Sequence, residues 1–134
     1  MALFAAFDVA GSGLRTTRKW LDAVSDNIAN VNTARPTDQE AFRARMVVAQ
    51  ADQYGSAGGV RVTQALFGNA EGRLVHQPDH PLADAQGYIR LPDIDMGDQM
   101  TQLIMAQRSY QANLSVVERA KDAYQQALQI GRRT

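Results

Sequence analysis

Two histidines four residues apart, His76 and His80 in the stretch VHQPDHPLAD, are where metal chemistry would have to sit in this sequence, with Asp79 and Asp84 beside them. Imidazole nitrogens with a carboxylate oxygen form the donor set of many catalytic zinc sites. An i, i+4 pair converges on one ion only when it lies on a helix, and Pro78 and Pro81 argue against a helix here. The stretch reads as a structural loop, and no metal ligand is assigned. Nucleophilic chemistry is no better supported. Ser25 beside Asp26, and Ser109 beside Tyr110, have no histidine near them in sequence to serve as base. The GSG at 11–13 lacks the further glycines and the preceding strand of a phosphate-cradling loop. Arg15, Arg18 and Lys19 are offset by Asp8, Asp22 and Asp26 and read as a solvated helix face. Cysteine is absent, which removes disulfides, thiolate metal sites and thiol catalysis. No catalytic or cofactor-binding residue emerges, and no cofactor is expected.

The chain has 134 residues, enough for one domain, with 14 basic and 14 acidic residues interspersed along it. That balance, without a basic stripe, argues against nucleic acid as a partner. The start, MALFAAFDVAGSG, lacks a basic n-region and a long apolar run, so no cleavable secretory signal is expected. No stretch approaches the ~20 apolar residues of a membrane-spanning helix, and a direct membrane span is not expected.

The elements available to position side chains are two helical ends around a short middle. Leu3, Phe7, Ala10, Leu14, Thr17, Leu21, Val24, Ile28 and Val31 alternate at spacings of four and three, the seam of a coiled coil. Gly11 and Gly13 interrupt it, each at about 1 kcal/mol against alanine, so a bend or broken turn is expected there. NVNTARP stops the helix, because Asn favours turn geometry and Pro36 disfavours helix at Arg35. Asn27, Asn30 and Asn32 suit either C-capping or bonding to a neighbouring subunit's backbone. From Pro36 to about Asp93 the pattern is that of strands: FRARMVVAQ, VRVTQAL, RLVHQ and GYIRLP, separated by GSAGG and GNAEG, a small meander. So small a β region buries too little to be comfortable alone. The last helix begins after LPDID, with Asp93 or Asp95 as cap, and stops at Gly131.

The fold expected is therefore α+β: long N- and C-terminal helices in an antiparallel coiled-coil-like pair, with a small β-rich middle. The segments are 1–35 (N-terminal helix), 36–93 (β-rich) and 94–134 (C-terminal helix). One stripe of the last helix reads Ala106, Tyr110, Asn113, Val117, Ala120, Tyr124, Ala127, which buries little for its length. A second apolar edge runs Met100, Leu103, Tyr110, Leu114, Val117, Tyr124, Leu128, while Phe4 and Trp20 lie off the first helix's seam. A two-helix pair cannot cover both edges, so the sequence looks built for assembly.

DNIANVNT resembles the N-terminal signature of the rod proteins of the bacterial flagellar basal body, usually a Ser-Asn-Ile-Ala-Asn core followed by Thr. RSYQANLSVVERAKDAYQQALQIG resembles their shared C-terminal segment, and FRARMVV, GVRV and HPLADAQGYIRLPDIDM add to the likeness along nearly the whole chain. The short middle points to a small, proximal member of the family. Asp26 stands where Ser is usual, and ARPTDQEAF lacks the Gly often found before the aromatic. The resemblance implies a structural part that is no enzyme, exported unfolded and uncleaved through the flagellar type III apparatus. Its partners would be other rod proteins and copies of itself, in a rod within the periplasm or cell-wall space that transmits motor torque. Family members' termini order as a helical pair on assembly. Leu14, Leu21, Val24, Ile28, Leu103, Tyr110, Leu114, Val117, Tyr124 and Leu128 are then expected in packing, and Asn27, Asn30, Gln111 and Asn113 in fixing register. Two rival readings remain: a self-contained helical adaptor or chaperone, and a small metal-dependent enzyme using His76, Asp79 and His80.

Overall fold

The computed structural model describes residues 2–52 and 58–131, with the side chains of Ala2 and Leu3 outside that description. Two helices carry the molecule: α1, Ala2–Asn30, and α2, Met96–Gly131. Between them lie strands β1 (Arg45–Ala51), β2 (Val60–Phe67), β3 (Arg73–His76) and β4 (Tyr88–Leu91). This is the α+β arrangement expected, but the strands form two separate two-stranded antiparallel sheets, β1–β2 and β3–β4, instead of one meander. Each hairpin closes on itself, and a register shift between Val48 and Ala49 kinks the first. The first three residues of the GSAGG turn, 55–57, lie outside the described residues.

A second correction concerns GSG: α1 runs through it without a break. Packing compensates for the poor helix propensity. Ser12 Oγ donates to the Val9 carbonyl at 2.7 Å and Thr17 Oγ1 to the Gly13 carbonyl at 2.8 Å, and a Cβ on Gly13 would stand 2.9 Å from Asn113 Nδ2. The end of the Asn113 side chain, from the opposite helix, fills the space beside Gly13. Asp95 caps α2: its Oδ1 accepts the Asp98 amide at 2.8 Å, satisfying one of the orphan donors of the first turn.

The helices run antiparallel, and four contacts fix their register. From the C-terminal end of α1, Asn27 meets Gln99, Trp20 meets Gln102, Thr17 meets Ser109, and near the free ends Phe4 stands edge-on to Tyr124 at 6.1 Å. The buried residues of α1 are Ala10, Ser12, Gly13, Thr17, Ala23, Val24 and Asn27, with Val31 buried just past its end. Their partners on α2 centre on Ala106 and Ala120, with Asn113 half-buried between them. Small residues allow close backbone approach, so contact is made by many shallow neighbours instead of a few deep ones. A second buried group, Ala41, Ile89, Pro92 and Ile94, lies where β3–β4 meets the linkers. Arg90 ties this region together: its backbone exchanges two 2.9 Å bonds with Arg35, and its guanidinium donates to the carbonyls of Glu71 and Thr37.

Candidate assembly interface

The histidine stretch folds as a run of turns, with the His80 amide on the Gln77 carbonyl and the Ala83 amide on the His80 carbonyl. His76 stacks edge-on against Tyr88 at 5.0 Å, and His80 Nδ1 accepts the Leu82 amide at 3.1 Å. Asp84 accepts from the Tyr88 amide, the Thr37 hydroxyl and the Gln86 amide, at 2.9, 3.0 and 3.0 Å. These bonds, the one from Tyr88 foremost, hold its carboxyl below the ordinary carboxylate range. The carboxylate thus closes its own loop. Among the described residues no group of three or more His, Asp or Glu is placed to hold a metal ion.

The asparagines at the end of α1 divide the work. Asn27 is buried and acts as a strand edge: its Nδ2 donates to the Arg45 carbonyl at 2.9 Å while its Oδ1 accepts the Arg45 amide at 2.8 Å. The same Nδ2 donates to Gln99 Oε1 at 3.0 Å, so one amide joins α1, β1 and α2. Asn30 serves locally, donating to the Asp26 carbonyl at 2.9 Å and accepting the Thr33 hydroxyl at 3.1 Å. Asp26 itself forms an ion pair with Arg45 at 2.7 Å, which ties the end of α1 to the start of β1.

The tip of the same hairpin is held by α1 as well. Ser12 Oγ accepts the Val60 amide at 3.0 Å, and Thr16 Oγ1 donates to the Val60 carbonyl at 3.4 Å. Ser12 and Asn27 are about 22 Å apart along a helix, and a seven-residue strand such as β1 spans about 20 Å. The hairpin therefore lies along α1, fastened at both ends by side chains bonding its backbone. Ser12, Thr16, Trp20, Gln99, Gln102 and Ser109 are contacts that sequence periodicity does not single out. For all but Trp20 the signal is small or polar character on a helix face, which an apolar count passes over.

The residues expected to pack fall into two sets. Val24 is buried; Leu14, Leu21, Ile28, Leu103, Tyr110, Asn113 and Val117 are half-buried. Leu114, Tyr124 and Leu128 are exposed, at 40%, 41% and 51%, and Gln111 is exposed too. Met96, Met100 and Ile104 extend the apolar flank that runs through Leu103 and Leu114. Every residue of α2 from Lys121 to Gly131 is exposed. One line of the expected α1 seam, Ala10, Thr17, Val24 and Val31, is buried, while Phe7, Leu14, Leu21 and Ile28 lie on its shoulder. An apolar flank of this size, left open beside a seam of small residues, is a surface for further helices.

Comparison with known proteins agrees with that geometry. The family described as "Flagella basal body rod protein" matches residues 7–37, and "Flagellar basal body rod FlgEFG protein C-terminal" matches residues 85–130. These spans hold Asn27, its partner Gln99 and most of α2. The chain is 42% identical over 133 residues to the flagellar basal-body rod protein FlgC of Yersinia enterocolitica, covering 98% of this chain and 99% of that protein. It is 39% identical over 133 residues to FlgC of Salmonella typhimurium, with the same coverage. FlgC of Bacillus subtilis is 31% identical over 150 residues, covering 98% of this chain and 100% of its own length. The chain belongs to the FlgC family of flagellar basal-body rod proteins, the structural subunits of the proximal rod.

Proposed function

We propose that the chain polymerises through its two terminal helices and passes motor torque along the rod, with no catalytic role. The observation that carries this is the apolar flank of α2, Met100, Leu103, Ile104 and Leu114, open beside a close-packed helix seam. Torque transfer needs stiffness, and many shallow contacts between close helices supply it. Leu14, Leu21, Ile28, Leu103, Tyr110, Leu114, Val117, Tyr124 and Leu128 pack against neighbouring subunits, while Asn113 and Gln111 hold register. The neighbours are other rod proteins and further copies of this chain. The subunit reaches them unfolded through the flagellar type III export apparatus and stands in the periplasm or cell-wall space. Among the described residues no helix is long and apolar enough to cross a membrane.

Leu114→Asp tests the reading. Leu114 is exposed, so the purified variant should keep its helix content and thermal midpoint, while cells carrying it lose swimming and yield basal bodies lacking the chain. Normal swimming in that strain would remove the axial role from this flank.

A further inference from the structure

The folded chain separates charges that its sequence intersperses. The half nearest the free helix ends comprises residues 2–20, 49–52, 58–63 and 106–131, and carries seven Lys or Arg against four Asp or Glu. The other half, residues 21–48 and 64–105, carries five against ten. A neutral chain is thus polarised along its long axis.

Each half has a concave feature of matching sign. Between α1 and the tip of the β1–β2 hairpin lies a cleft of about 350 Å³ lined by Arg15, Lys19 and Arg61, with Asp8 and Asp52 also on its wall. Arg15 and Lys19 are four apart and share a helix face. At the opposite end the turn into α2 brings Asp93, Asp95 and Asp98 to the rim of one hollow, and Arg45, which also lines it, is engaged by Asp26. The helix pair continues past the hairpin tip, since α1 reaches back to Ala2 and α2 on to Gly131, so the basic cleft sits in a step.

We propose that copies of this chain dock head to tail, the basic cleft of one receiving the Asp93–Asp98 turn of the next. The inference rests on the polymerising role above and names one of its contacts. A contact between unlike surfaces leaves one of each free on every pair, so it repeats into a ring or an open helix instead of stopping at a dimer. Zero net charge keeps long-range repulsion low, while the separated ends orient the encounter.

The test is sedimentation of the purified full chain with two charge reversals, Lys19→Glu with Arg61→Glu and Asp93→Lys with Asp98→Lys. Asp95 is left intact because it caps α2. The parent chain should self-associate, at least about tenfold more weakly in ~500 mM than in ~50 mM salt, since exposed charges are screened. Either reversed chain alone should lose at least about tenfold in association. An equimolar mixture should regain it, because each then offers the sign the other needs. A parent that stays monomeric, reversed chains that associate as well as the parent, or a mixture that regains nothing would each overturn the proposal. Should a reversal lower helix content, the neutral pairs Lys19→Gln with Arg61→Gln and Asp93→Asn with Asp98→Asn replace it. Partial loss without regain on mixing is then expected, and parental association overturns the contact. Failure of the charge swap while Leu114→Asp still abolishes swimming would remove this contact and leave the rod role standing.

Discussion

At the scale of single residues, Asn27 is a junction of three elements. Its amide pairs with both backbone groups of Arg45 and with Gln99, joining three elements at a point shielded from water. Asn27→Ala should cost about 1–3 kcal/mol, because the part-buried bonds to the Arg45 amide and carbonyl are lost. Urea unfolding of the variant measures this, and an unchanged midpoint would mean the bonds contribute nothing net. Asn27 stands in the motif DNIAN, which carries the family resemblance, and its capping potential is legible from residue type. What the sequence could not give was the partner, since a strand edge 18 residues away is invisible to local spacing. Asp26 shows the same limit. A departure from the usual Ser, it gains sense only beside Arg45.

At the scale of elements, the helices were legible in type and extent, and the seam was rotated. Apolar spacing selects Leu14, Leu21 and Ile28, yet the interior line runs through Gly13 and Asn27 instead. Periodicity counts weigh bulk and hydrophobicity, whereas two helices in close approach select the absence of bulk. The same reason explains why GSG does not break α1. Gly13→Leu should therefore part the helices and lower stability by about 1–3 kcal/mol, the usual range for overpacking. Gly13→Ala need only turn aside the end of the Asn113 side chain, and its gain in helix propensity of about 1 kcal/mol offsets that. Thermal unfolding of the two variants checks the contrast; equal midpoints would show that bulk at position 13 is not limiting. The strands were legible as strands, but not their division into two hairpins. That depends on Arg90 and Arg35 bridging the β4 region to the linker, a pairing of 55 residues' separation that no alternation pattern encodes.

At the scale of the whole molecule, support thins steadily from the Asn27 junction toward the free helix ends. Exposure of every residue from Lys121 to Gly131 predicts where a protease first finds the folded chain. Trypsin should cut after Arg119 or Lys121 well before Arg35, Arg73 or Arg90, which mass spectrometry of early fragments would read. Early cleavage in the 36–93 region would instead make the β region the weaker part. Uniform protection through α2 would mean that the two helices already satisfy each other before assembly. The hairpin fastened along α1 has a mechanical consequence as well. Its anchors at Ser12 and Asn27 sit on one side of the helix, and an extended backbone has almost no slack to lengthen. Curving α1 away from the hairpin must stretch that stay, while curving it sideways need not. The subunit is therefore a beam with unequal flexural rigidity, stiffest in the plane that contains both the helix and its hairpin.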